Sequence, residues 1–215
     1  MAVDKGIIPK NPVKASLIPK GGTKTRADYT LEDGELEKLI AVSKESFRLP
    51  IYLGAVLGLR RGEVLGLKVS DLKDGVLRIR RAWGEVSKGV LDYKSTKTEG
   101  SNRDVPVPDW LVKKWNEHVS KFATGEVMFP NEGDFPISTD VFRAQWNKAR
   151  KDAGVNPELH FHDLRGYAGT EFVKKGATER EVMALLGHTS TQVSISYQKA
   201  TLSALSEVME GRRKG

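Results

Sequence analysis

From residue 30 onward the apolar positions repeat mostly at intervals of three and four, and one middle stretch alternates instead. Thr30, with Asp33 three residues on, reads as the start of a first helix whose apolar face is Leu36, Leu39 and Ile40. Further helices are predicted over Glu45–Leu57 and Arg61–Leu67. Asp74-Gly75 then marks a turn, and Val76-Leu77-Arg78-Ile79-Arg80 alternates apolar and basic residues like a half-buried strand. Strands are also expected over Val86–Tyr93 and over Asn102–Val107, the last closed by Pro106 and Pro108. Leu111, Trp115, Val119 and Phe122 share a helical face after Asp109. Helices follow over Val141–Ala153, His162–Lys175 and Thr178–Leu186, with Gly154, Gly176 and Gly187 as their stops. Thr201–Glu210 predicts a last helix with the stripe Leu202, Leu205 and Val208. The chain therefore reads as a mainly helical α+β domain with a small three-stranded antiparallel sheet, without internal repeats.

The 215 residues suffice for one sizeable domain with an attached arm. Residues 1–26 read as that arm. Pro9, Pro12, Pro19, Gly21 and Gly22 break any helix, and six basic residues there face Asp4 alone. Such an arm either follows a phosphate backbone or is simply solvated. Over the whole chain Lys and Arg outnumber Asp and Glu by 35 to 28, a net charge of +7. That balance favours a polyanionic partner, nucleic acid before an anionic membrane. With no cysteine, disulfides, thiolate zinc sites and cysteine nucleophiles are excluded, which fits a reducing interior. No run approaches the roughly 18 apolar residues of a membrane span, and the first 20 residues lack a signal peptide's apolar core. A soluble cytoplasmic protein is expected.

Candidate chemistry sits in a few short strings. His162-Asp163-Leu164-Arg165 puts an imidazole and a guanidinium on one face at a helix start, where the dipole favours an anion. Arg60 and Glu63 are also three apart: either an ordinary helical ion pair, or a carboxylate that holds Arg60 for two phosphate oxygens. Lys97 lies in the turn Lys94-Ser95-Thr96-Lys97-Thr98-Glu99-Gly100, either solvated or reaching into a DNA groove to donate a proton. His188 follows the stop Gly187, and Tyr197 comes nine residues later. A phenol with a pKa of about 10 attacks poorly unless cations stabilise its anion and a base takes its proton. Singly, each string is explained as well by capping, packing or solvation. His160-Phe161-His162 lacks a third ligand and Gly21-Gly22-Thr23-Lys24-Thr25 lacks the order of a P-loop, so neither metal nor nucleotide cofactor is expected.

Together the strings say more. Gly58-Leu59-Arg60-Arg61-Gly62-Glu63, Lys97-Thr98, His162-Asp163-Leu164-Arg165, Leu186-Gly187-His188 and Tyr197 resemble, in order and interval, the catalytic domain of the tyrosine recombinase family, phage integrases in particular. The resemblance runs from Thr30 to Ala200. It implies that family's catalytic fold and a site-specific recombinase that cuts and rejoins DNA through a 3′-phosphotyrosyl intermediate, without metal or ATP. It implies Tyr197 as the nucleophile, Arg60 and Arg165 as clamps on the phosphate, and Lys97 as the acid for the leaving 5′-oxygen. His162 is the implied acid/base near the tyrosine, His188 a donor to a non-bridging oxygen, and Glu63 and Asp163 supports. Two positions depart from the pattern: Leu57 stands where many relatives have Thr, and Gly166 where a larger residue is common. Neither removes a catalytic group.

Phage integration and excision is the role the resemblance favours, with chromosome-dimer resolution or transposon recombination as alternatives within the family. A type IB topoisomerase would usually carry Lys in place of His162. A non-catalytic DNA-binding protein would explain the charge but has no use for His188 and Tyr197. The implied partner is duplex DNA with attachment-type sites, bound as a homotetramer by a protein that is a monomer or weak oligomer when free. Accessory DNA-bending or directionality factors are implied too, at the host nucleoid. Members of the family usually carry a core-binding domain ahead of the catalytic one, and residues 1–26 resemble the linker after it. A shortened chain is thus expected, with residues 27–200 as the catalytic domain and 201–215 as a tail packing on its own core or on a neighbouring protomer.

Overall fold

The computed structural model of the chain describes residues 30–95, 102–187, 206 and 208–210. Among these the helices are α1 (Glu35–Val42), α2 (Glu45–Leu57), α3 (Arg61–Leu65), α4 (Asp109–Phe122), α5 (Thr139–Ala153), α6 (Leu164–Lys174) and α7 (Glu179–Leu186). The strands are β1 (Leu72–Lys73), β2 (Val76–Ile79), β3 (Arg81–Ser87), β4 (Val90–Ser95) and β5 (Arg103–Pro106). A mainly helical body with a small antiparallel sheet is what the hydrophobic pattern predicts. No helix among the described residues is long and apolar enough to cross a membrane.

Helix α2 organises the rest. Phe47, Leu49, Ile51, Leu53, Ala55 and Leu57 are buried around it, and it packs against α1, α3, α4 and α6. A helix apolar on nearly every side has to be central. Phe142 of α5 sits edge-on between Phe47 and Phe161, with ring centroids 4.9 and 4.8 Å away, and Trp146 meets Phe161 at 5.6 Å. Gly54 of α2 leaves room for this: a Cβ there would stand 2.8 Å from Phe161 Cζ. Phe161 opens a 3-10 turn, Phe161–Asp163, so His162 takes its position from an aromatic cluster in the core.

In the three-stranded sheet β2 lies between β1 and β5, both antiparallel to it, with Val76 opposite Pro106 and Ile79 opposite Arg103. β3 and β4 form a separate hairpin in which Trp83 faces Tyr93, rings edge to face at 4.9 Å.

The limits of some elements differ from the periodicity. The first helix starts at Glu35 and not at Thr30, because Gly34 adopts φ 78, outside the helical region. A turn precedes it, closed by the Glu35 N–H on the Glu32 carbonyl at 3.1 Å. The expected strand Val86–Tyr93 is instead the tip of the β3–β4 hairpin, since Gly89 turns the chain at φ 79. The third strand of the sheet is therefore Leu72–Lys73. The helix expected from His162 begins as a 3-10 turn and becomes α-helical at Leu164. In the last predicted helix, Val208 and Met209 are buried in the core of this chain and the Glu210 N–H donates to the Ser206 carbonyl. Leu202 and Leu205 lie outside the described residues, as does the arm, residues 1–26.

Gly58 ends α2 at φ 66, and a Cβ there would lie 2.3 Å from Leu186 Cδ2 of α7. Gly154 ends α5 at the same φ, with nothing within 4 Å of such a Cβ. Gly154→Ala should cost about 1–2 kcal/mol for backbone strain alone, whereas Gly58→Ala should cost roughly 2–5 kcal/mol because overpacking adds to it. Chemical denaturation of the two variants measures the difference, and equal losses would mean that α7 does not press on Gly58.

Candidate active site

A helix leaves its last carbonyls without helical partners and carries partial negative charge there. At the end of α7 these are the carbonyls of Leu185, Leu186 and Gly187, the last turning the chain at φ 64. Three arginines from three parts of the fold meet them. Arg103 Nε donates to the Leu185 oxygen at 2.8 Å, Arg165 Nη2 donates to that of Leu186, and Arg60 Nη2 makes a long contact of 3.5 Å with that of Gly187.

Each guanidinium is fixed a second time. Arg165, at the start of α6 and buried, donates Nη1 to the Gly58 carbonyl at 2.7 Å. Arg60 stands just before α3, its Nη1 3.0 Å from Glu63 Oε1 and its backbone N–H 2.9 Å from Oε2. Arg103, buried on β5, lays its two Nη groups on the two Glu63 oxygens at 2.9 Å each. The Glu63 carboxylate thus accepts four N–H groups in a site closed to water. Burial pushes its pKa up, but the hydrogen bonds and charge of Arg103, then those of Arg60, outweigh this and bring it to about 2. Burial pushes the Arg165 guanidinium down, and the like charges of Arg60 and Arg103 add to the fall against the pull of Glu63, to about 9. Among the described residues three guanidinium groups thus stand near one carboxylate, which hydrogen-bonds two of them.

Arg60 also lines a cleft of about 690 Å³, together with Arg61, Arg143, Arg150, His160 and His162. Among the described residues Glu158 is the one carboxylate in that lining. Cationic walls of this kind concentrate a polyanion. His162 is exposed on its 3-10 turn, which Asp163 stabilises from inside by accepting the His160 backbone N–H at 2.6 Å.

The structure brings Arg60, Glu63 and Arg165 together at the end of α7 and sets His162 in the adjoining cleft, with Asp163 buried beneath it. Lys97, His188 and Tyr197 lie outside the described residues. Arg103 is the residue that sequence reasoning missed. Its signal lay in the alternation of β5: Arg103 falls in phase with the buried Val105, and an arginine on an inward-facing strand position requires a buried counter-charge.

Residues 30–203 match the phage integrase family. The integrase of Mycobacterium phage L5 is 30% identical over 223 residues, covering 99% of this chain and 58% of that protein. A tyrosine recombinase XerC-like protein of Caldanaerobacter subterraneus subsp. tengcongensis is 30% identical over 222 residues, covering 90% of this chain and 56% of that protein. Among solved structures, the Tn1549 transposon integrase in complex with transposon right-end DNA superposes with a TM-score of 0.68 at 17% identity, over 94% of this chain and 72% of that one. The chain spans little more than half the length of the relatives it matches.

Because the Glu63 carboxyl sits near 2 in the fold against 4.5 ordinarily, its contribution to stability is complete above pH 4.5 and is lost as pH falls toward 2. Glu63→Gln removes the buried carboxylate on which Arg103 and Arg60 are anchored and should cost roughly 3–5 kcal/mol near neutral pH. Denaturation curves of both proteins should converge as pH falls below 4.5. A gap that does not change with pH would mean that the carboxylate is not held by these cations.

Proposed function

This chain belongs to the phage integrase family, and we propose that it is the strand-cutting and strand-joining part of a site-specific DNA recombinase of the phage integration and excision type. One observation carries the proposal: Arg60 and Arg165 both meet adjacent carbonyls at the end of α7, Arg60 lining a cleft of about 690 Å³ whose wall also carries Arg61, Arg143 and Arg150. Phosphoryl transfer needs fixed charge and alignment more than covalent assistance, so such a pair is suited to a phosphodiester without a metal.

In this reading Arg60 and Arg165 bind the non-bridging oxygens. Tyr197 attacks phosphorus as its proton passes to His162, the bond to the 5′-oxygen breaks, and Lys97 protonates that oxygen. A 3′-phosphotyrosyl link and a free 5′-hydroxyl result, and His188 donates to a non-bridging oxygen. Attack by a different 5′-hydroxyl reverses the step and joins a new strand, the covalent link having kept the bond energy. Glu63 steadies Arg60, and Asp163 steadies the turn of His162. Residues 27–200 form the catalytic domain, preceded by a basic linker over 1–26 and followed by a tail over 201–215. The protein works in the host cytoplasm on duplex DNA as a homotetramer, with accessory factors setting direction.

Incubation with nicked duplexes in the presence of a chelator should give an SDS-resistant protein–DNA species that is lost in Tyr197→Phe. DNA binding without an adduct, across a broad set of sequences, would contradict a strand transferase. Arg61→Ala and Arg143→Ala, from the cleft lining, should each lower the salt slope of DNA affinity by about 1; slopes equal to that of the unaltered chain would move the DNA away from this cleft.

A further inference from the structure

Arg103 comes six residues after Lys97, at the start of β5, and joins that strand to α3 and to the end of α7. Its three nitrogens are each committed: Nη1 and Nη2 to the two oxygens of Glu63, Nε to the Leu185 carbonyl. Its own backbone is braced, because Arg80 Nη1 donates to the Arg103 carbonyl at 2.9 Å while Nη2 pairs with Asp104. The guanidinium also sits close against the end of α7, where a Cβ on Gly187 would stand 3.0 Å from its Nη1. An ordinary buried ion pair needs none of this direction.

We propose that Arg103 is a positioning residue for strand cleavage: it holds the Glu63 carboxylate where that carboxylate can aim Arg60, and it fixes the end of α7 from which His188 follows. The inference rests on the recombinase reading and extends it. A planar fork suits these contacts, since three nitrogens in one plane reach the two carboxylate oxygens in parallel and the carbonyl to the side, a spread that the single nitrogen of an ammonium lacks. Charge alone is therefore insufficient. The same contacts tie β5 to the arginine cluster, so one side chain sets the spacing of residues drawn from β5, α3 and the end of α7.

The test compares Arg103→Lys with the double variant Glu63→Gln/Arg103→Met, which removes both buried charges and so preserves folding even where a single change would not. Three quantities are read: adduct formation on saturating nicked duplex, affinity for the intact duplex, and thermal unfolding. Both variants should fold and bind duplex within a few-fold of the unaltered chain while forming adduct about 100-fold more slowly, the loss expected when a reacting group is misplaced by about an ångström. Glu63→Gln alone should be as slow as the double variant, because both act through Arg60. A folded variant that forms adduct at the unaltered rate would overturn the inference, as would a loss confined to DNA affinity. Failure of the unaltered chain itself to form adduct would strike the recombinase reading first, and is seen separately from the behaviour of the variants.

Discussion

The negative end of helix α7 is the constraint on which the candidate site depends. Three guanidinium groups repel one another when brought close, and burial together with the like charges of Arg60 and Arg103 lowers the pKa of Arg165. They stay because three successive carbonyls, Leu185 to Gly187, and the Glu63 carboxylate each offer acceptors. The backbone dipole supplies part of the counter-charge without adding a second acid. What remains is a rigid excess of positive charge at the edge of a cleft. A phosphodiester would complete it.

The architecture serves that arrangement in ways that do not look functional taken one at a time. α2 is the buried axis, and its C-terminal glycine both admits Leu186 and offers its carbonyl to Arg165. Gly54, one turn earlier, lets Phe161 sink against α2 and so locates the turn of His162. The sheet has its part in presenting Arg103, with Arg80 holding the strand from outside. Losing any of these would shift the cations rather than remove them, and electrostatic catalysis tolerates such shifts poorly.

Much of this was legible in the residues. Apolar periodicity located α5 and α7 closely, since each buries one stripe and ends at a glycine stop, Gly154 or Gly187, while α2 was legible as an almost continuous apolar run ending at Gly58. The tip of the β3–β4 hairpin was misread as a single strand, Val86–Tyr93, because the positive φ at Gly89 leaves no mark on hydropathy. Thr30 was taken for a cap on chemistry that Gly34, four residues later, overrides. In the site, the pairing of Arg60 with Glu63 could be read from spacing, because three residues along a helix bring two side chains together. That of Arg103 with Glu63, 40 positions apart, could not, because it depends on which helix the strand crosses. The role of backbone carbonyls was invisible for the same reason: every residue has one, and only tertiary structure decides which are left over.

The most direct measurement is a crystal structure of the chain on a duplex carrying an uncleaved phosphodiester at its site, with Tyr197→Phe to stop the reaction. The expected result is one phosphate whose non-bridging oxygens lie within hydrogen-bond distance of both Arg60 and Arg165, while those side chains keep their contacts to the carbonyls of Gly187 and Leu186. A phosphate seated away from this pair, or arginines that abandon the end of α7 to reach it, would contradict a site preorganised by that helix.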